Sequence, residues 1–191
     1  MNPFSLDRMV LAVELVRRRL LRATAALEAA GIPYAVAGGN AIALWVSRVD
    51  VTAVRNTSDV DLLVRREDFE AVCDTLTAAG FTYQRLAGID VFLDGPDGKP
   101  RDGVHLIFAG ETVRPGEPLP NPAVTDSEAG EEYQVLNLRA LVQIQLTANR
   151  DKDRAQLRDL LEVGLIDESW LQYYPAELAD RLRALIETPG G

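Results

Sequence analysis

An apolar segment that carries two aspartates, two positions apart, constrains the fold of this chain more than any other feature. In TSDVDLLV, residues 57–64, Asp59 and Asp61 lie within a β-prone run. On a β-strand, residues i and i+2 point to the same face, roughly 6.6 Å apart. Carboxylates are rarely buried unless they are paired or bind a cation. The segment therefore predicts either a divalent-cation site, typically Mg²⁺, or an exposed strand face with Thr57 and Ser58 as turn residues.

Size and charge restrict the class of protein. A chain of 191 residues with 47% hydrophobic and 26% charged residues suits one globular domain, or one domain with a helical appendage. The net charge of −9 argues against general electrostatic binding of DNA, and we expect none. The single cysteine, the lack of a visible signal peptide and the lack of a long apolar run lead us to expect a cytoplasmic location without membrane association.

The first half of the chain alternates between helical and extended patterns. Apolar residues recur at helical spacing over residues 7–30, and the extended run YAVAGG then ends in Gly38 and Gly39. A helix is predicted to follow, with Asn40 near its beginning. Strand, Gly-Gly and helix in this order are typical of a phosphate site, because glycine allows close approach and a helix N-terminus attracts anions. A tight turn is the alternative interpretation of the two glycines.

The second half of the chain adds further strands and then helices. We predict a strand at TSDVDLLV, a helix over 66–79, and strands at FTYQRL, DVFLDG and GVHLIFAG. These patterns predict an α/β or α+β fold, with a sheet and flanking helices followed by a helical C-terminal portion. The domain boundaries that we predict are a sheet domain at 1–110, a linker rich in proline, glycine and acid at 111–133, and a helical portion at 134–191 that packs on the first.

Two motifs in the correct order resemble the nucleotidyltransferase superfamily with the polymerase-β-like fold. AVAGGNAIAL matches the family's strand, Gly-Gly and helix, and RNTSDVDLLV matches its Asp-x-Asp strand. The closer resemblance is to abortive-infection-type toxin nucleotidyltransferases and related uncharacterised proteins. Their Arg-x-Thr-x-Asp-x-Asp stretch is matched by Arg55, Thr57, Asp59 and Asp61, and QLTANRDKDRAQLRDL resembles their C-terminal helix.

The resemblance implies a small mixed sheet and a metal-dependent enzyme that transfers a nucleotidyl group from a nucleoside triphosphate to an acceptor. Gly38, Gly39 and Asn40 are implied to hold the triphosphate, together with Arg55 and Thr57. Asp59 and Asp61 are implied to bind Mg²⁺ or Mn²⁺ and to be catalytic, and Arg150 or Lys152 to contact phosphate or the acceptor. The acceptor stays open among a small molecule, a protein hydroxyl and an RNA end.

Two positions depart from the family pattern. The strand GVHLIF carries His105 where a third carboxylate is expected, and Asp90 and Asp102 are alternative substitutes for that acid. His105 is either a general base, since its ordinary pKa lies near 6.5, or a partly buried histidine. Gln145 stands where the toxin-like helix usually has lysine. These departures favour a second hypothesis, a nucleotide- or ligand-binding regulatory protein without turnover. A third hypothesis is an antitoxin-like or structural partner that uses the acidic linker and helical tail as an interface, and it rests on the linker alone.

Overall fold

The computed structural model describes residues 3–188, and its centre is a mixed sheet of seven strands. The strands are β1 Tyr34–Ala37, β2 Val60–Val64, β3 Phe81–Leu86, β4 Ile89–Asp94, β5 Val104–Phe108, β6 Ser127–Ala129 and β7 Gln134–Leu136. They are ordered β3-β4-β5-β2-β1-β7-β6. The β2–β5 and β1–β7 pairs are parallel and the other pairs are antiparallel. The predicted fold class, a mixed sheet with flanking helices and a helical C-terminal portion, is confirmed.

Within residues 3–188, six α-helices surround the sheet. They are α1 Pro3–Ala29, α2 Gly38–Ser47, α3 Phe69–Ala78, α4 Leu138–Ala148, α5 Asp151–Glu162 and α6 Ala176–Glu187. Helix α1 packs against α3, β2 and β5, whereas α2 packs against β1, β2, α4 and α5. The central strands are enclosed by these layers, so Ala35, Val36, Leu62 and Leu63 are all fully buried. This is why β1, and β2 apart from Asp61, have continuous apolar sequences rather than alternating ones.

The C-terminal portion begins as part of the sheet. Strand β7 lies parallel to β1 through the pair Val36 and Val135, and β6 lies within the segment 111–133 that we predicted to be a linker. The division of the chain into domains therefore stays a prediction, but its two sides share one sheet. Asn137 is the N-cap of α4, and its side chain accepts a hydrogen bond of 2.9 Å from the Ala140 amide.

A sharp break separates α4 from α5. Asn149 has a left-handed backbone (φ +48°), a conformation that asparagine tolerates better than most residues, and α5 starts two residues later. The segment QLTANRDKDRAQLRDL thus forms two helices rather than one. As a result, the first turn of α5, which carries Lys152, is directed at the Asp59 end of the sheet.

Candidate active site

Three neighbouring strands position the polar residues of the site. Asp61 of β2 lies opposite Ala37 of β1 on one side and opposite His105 of β5 on the other. Gly38 and Gly39 directly follow Ala37, and Asp59 directly precedes β2. The two motifs and the histidine therefore meet because β1, β2 and β5 are adjacent, although they are far apart in sequence.

Asp59, Asp61 and His105 form a compact group. Nδ1 of His105 lies 3.8 Å from Oδ2 of Asp59 and 3.7 Å from Oδ1 of Asp61, and one potential ligand atom from each residue lies within 4.8 Å of the others. The side chains are 18%, 18% and 22% exposed, so they are largely buried but still accessible. This arrangement excludes the interpretation of Asp59 and Asp61 as members of an exposed strand face.

The Asp59 carboxylate is held in its charged form. Burial alone raises the pKa of Asp59, but a 2.6 Å hydrogen bond from the Thr57 hydroxyl and the charge of Lys152, 3.7 Å away, together outweigh it and lower the pKa. The Asp61 carboxylate raises the pKa of His105 against the opposing effect of burial. The site thus concentrates negative charge that attracts cations.

The two glycines let β2 pack closely on the start of α2. Gly38 has φ +58°, and a Cβ there would lie 1.9 Å from Oδ2 of Asp61. A Cβ on Gly39 would lie 2.8 Å from the Thr57 side chain. The N-cap residue of α2 is Ala37, whose methyl group cannot accept a hydrogen bond, so the first-turn N–H groups suit an anionic ligand.

Asn40 and Arg55 have contacts that differ from those we inferred. The Asn40 side chain donates a 2.7 Å hydrogen bond to the Asp59 carbonyl, which anchors the aspartate segment to α2. Arg55 lies 2.8 Å from the buried carboxylate of Asp159 on α5, and burial raises the pKa of that acid. Arg55 nevertheless has a side chain that is 63% exposed, so it can also meet a ligand.

Helix α5 brings the predicted cations to the site. Arg150 forms two hydrogen bonds, of 2.7 and 3.0 Å, to the buried carboxylate of Asp153, and this contact raises the pKa of Arg150. Lys152 is half exposed and reaches Asp59. The cations that we predicted near phosphate therefore do lie beside the aspartates.

Gln145 has a structural explanation. It is only 2% exposed and donates a 2.7 Å hydrogen bond to the side-chain oxygen of Gln156. The amide nitrogen of Gln156 then lies next to Gly39, 3.2 Å from the position that a Cβ would take. At this buried position, the Gln145 amide orients Gln156, and it lacks the positive charge that a lysine would offer to a ligand.

Two cavities meet at the aspartates. The larger has a volume of about 410 Å³ and is lined by Gly38, Asp59, Asp61, His105, Arg150 and Lys152, among others. The smaller, about 370 Å³, is lined by Gly39, Arg55, Thr57, Asp59, Lys152 and Gln156, among others. Asp59 and Lys152 line both cavities, so they form the boundary between them.

The two alternative acids do not join this group. Asp90 lies opposite Leu106 in the β4–β5 ladder, so it points to the face of the sheet opposite His105, where its carboxylate accepts a 2.7 Å hydrogen bond from Tyr83. Asp102 lies in the short helical turn Pro100–Asp102, 3.4 Å from Arg101. Of the three candidates, His105 is the one placed beside the aspartates.

Several residues that support the site were not identified from the sequence. They are the Pro100 carbonyl, which contacts His105, and the side chains of Asp153, Gln156 and Asp159. Arg150 and Asp153 are three positions apart at the start of a helix, a local signal that could have revealed their contact. The other contacts depend on tertiary packing.

Comparison with known proteins gives a family and a fold. The family described as uncharacterised nucleotidyltransferase matches residues 6–117, which is more than half of the chain. No curated protein sequence matches the chain. Among the residues that the structure describes, no helix is long and apolar enough to cross a bilayer.

Solved structures share the fold at low sequence identity. An antigenic nucleotidyltransferase-like protein from Paracoccidioides brasiliensis is 19% identical, with a TM-score of 0.52 over 94% of this chain and 87% of that one. A candidate nucleotidyltransferase from H. pylori is 13% identical, with a TM-score of 0.50 over 99% and 79%. Neither is described as an abortive-infection toxin, so that finer resemblance stays a prediction.

Proposed function

The chain belongs to the uncharacterised nucleotidyltransferase family, and we propose that it is a metal-dependent enzyme that transfers a nucleotidyl group from a nucleoside triphosphate to an acceptor hydroxyl. The observation that supports this most directly is the pair of carboxylates, Asp59 and Asp61, at the uncapped start of α2. Cation ligands and phosphate-binding N–H groups are thereby brought together at the junction of two cavities.

The residues fit a divalent cation. Two partly buried carboxylates and an imidazole offer three donor atoms within 4.8 Å of one another, and Asp59 is held in its charged form. Mg²⁺ or Mn²⁺ bound there would offset the charge that develops on the phosphates during in-line attack. The first-turn N–H groups of α2, together with Lys152, Arg150 and Arg55, would bind the triphosphate in this proposal.

In the proposed reaction, the acceptor oxygen attacks the α-phosphorus. The bond from that phosphorus to the β-phosphate oxygen breaks, pyrophosphate leaves, and the hydroxyl proton passes to a base in the site or to water. The protein contributes mainly position and electrostatics, as in other phosphoryl transfers. The acceptor is a small molecule, a protein or an RNA end, and the net charge of −9 favours the first two.

Calorimetric titration of ATP, GTP, CTP and UTP with divalent metal tests the proposal. The wild type should bind at least one triphosphate, and the Asp59→Asn/Asp61→Asn variant should lose metal-dependent binding. An Asp74→Asn/Asp97→Asn variant is a matched control, because it makes the same charge change at two exposed positions outside both cavities.

The outcomes separate the candidate functions. Binding followed by pyrophosphate release in the presence of an acceptor supports the enzyme. Binding without release, against all acceptors tried, supports a regulatory protein, which the histidine in place of a third acid favours. A folded wild type that binds no triphosphate would overturn the proposal.

A further inference from the structure

His105 is oriented as a metal ligand would be. Its Nε2 lies 2.8 Å from the Pro100 carbonyl oxygen. A carbonyl only accepts hydrogen bonds, so Nε2 carries the proton in the neutral ring. The lone pair is then on Nδ1, the atom that lies 3.7 and 3.8 Å from the two carboxylates. Histidines that bind metals usually donate from their other nitrogen to a carbonyl or carboxylate in this way.

The surrounding residues hold all three donor groups in place. His105 is directly opposite Asp61 in the parallel β2–β5 ladder, and Asp59 is fixed by the Thr57 hydroxyl. Each of the three side chains is at most about one-fifth exposed. These residues would hold a cation with three protein donor atoms, fewer than the six or more that Mg²⁺ or Mn²⁺ accepts, so phosphate oxygens could supply further ligands.

An imidazole changes which cation such a site favours. Mg²⁺ is a hard ion that prefers oxygen ligands, whereas first-row transition ions such as Mn²⁺ accept both carboxylate oxygen and imidazole nitrogen. A site with a third carboxylate would suit Mg²⁺ well. Replacing that acid with histidine removes one negative charge, which weakens the binding of both ions, and exchanges an oxygen donor for nitrogen, which disfavours Mg²⁺ more than Mn²⁺.

We propose that His105 binds the metal through Nδ1 and makes the site selective for Mn²⁺, or a similar transition ion, over Mg²⁺. This inference rests on the proposed function, because it assumes that the carboxylate pair binds a divalent cation. It makes His105 a specificity-determining ligand rather than the general base.

The single histidine of the chain makes a direct test possible. In tag-free protein loaded with Mn²⁺, pulsed electron paramagnetic resonance should detect coupling to an imidazole nitrogen, and His105 is the only imidazole available. The coupling should vanish in a His105→Asp variant that still binds Mn²⁺. Bound Mn²⁺ without nitrogen coupling in the wild type would overturn the inference.

Metal affinities supply a second, independent readout. Calorimetry should show that the wild type binds Mn²⁺ at least about tenfold more tightly than Mg²⁺, and that His105→Asp reduces this ratio by about tenfold. If that variant fails to fold, as circular dichroism would reveal, His105→Gln should also reduce the ratio. An unchanged ratio in a folded variant contradicts the inference.

These results can be separated from a failure of the proposed function. If neither ion binds the wild type, and Asp59→Asn/Asp61→Asn changes nothing, the metal-dependent function itself fails. If both ions bind and depend on the aspartates, but His105→Asp leaves the selectivity and the nitrogen signal unaffected, the assignment of His105 alone is wrong.

Discussion

Gly38 connects β1 to α2 in a left-handed backbone conformation, with the Asp61 carboxylate directly against its α-carbon. Residues other than glycine rarely adopt this backbone conformation, and a methyl group at this position would also overlap the Asp61 carboxylate. Gly38 is therefore required twice, once for its backbone and once for the packing of a site residue. This contact explains the glycine that precedes the aspartate strand without reference to a ligand.

Replacing Gly38 with alanine should destabilise the protein by about 2 kcal/mol or more and weaken metal binding, because the new methyl group displaces Asp61. Gly31→Ala is the matched control: it has φ +67°, but no atom lies within 4 Å of the added Cβ. This control should lower the free energy of unfolding only through backbone strain, by about 1–2 kcal/mol. Chemical denaturation and metal calorimetry of both variants measure the difference. Equal metal affinity in both would contradict the packing argument.

At the scale of elements, the first turn of α5 combines a structural contact with a functional one. The Asp153 carboxylate is only 1% exposed and accepts hydrogen bonds from the Arg150 amide and guanidinium. One residue before it, Lys152 extends toward Asp59. The buried acid thus fixes the end of the helix that carries the cations of the site.

Replacing Asp153 with alanine should lower the free energy of unfolding by roughly 1–3 kcal/mol, since the cap is lost and Arg150 loses its partner. It should also weaken triphosphate binding, because Arg150 and Lys152 are no longer held. Asp151→Ala, in the same turn but with a side chain that is 97% exposed, should have a much smaller effect. Urea denaturation and nucleotide titration distinguish the two variants. Similar losses in both would argue against the capping role.

The elements differ in how far the sequence predicted them. The helices α1, α2 and α3 and the aspartate strand depend on local periodicity and are confirmed, whereas the segment that resembles one C-terminal helix forms two. Strands β6 and β7 were missed, because each has three residues and exists through pairing with distant chain segments. The contact of His105 with the aspartates depends on the parallel register of β2 and β5, which no local pattern encodes.

At the scale of the whole molecule, the helical C-terminal portion and the sheet are joined by several kinds of contact. Strand β7 pairs with β1, and α4 and α5 pack against α2. The Trp45 indole of α2 also donates a 3.1 Å hydrogen bond to the Leu136 carbonyl. These contacts cross the predicted boundary at residue 134, so we expect the two sides to fold together.

The two tryptophans can test this expectation, because Trp45 lies before the boundary and Trp170 after it. Trp45→Phe and Trp170→Phe variants each leave one fluorescent reporter. In urea, fluorescence and circular dichroism should give the same midpoint within each variant, as one cooperative unit requires. A fluorescence midpoint of the Trp170 reporter that differs from the circular dichroism midpoint would indicate two independent domains.

The boundary that Asp59 and Lys152 form between the two cavities has a thermodynamic consequence. A ligand in either cavity lies next to the same two opposite charges. Its own charge therefore changes the electrostatic potential in the other cavity. The compartments are therefore coupled through shared charges, without any movement of the backbone. Such coupling is reciprocal: if a ligand in one cavity changes the affinity for a ligand in the other by some factor, the second ligand changes the affinity for the first by the same factor.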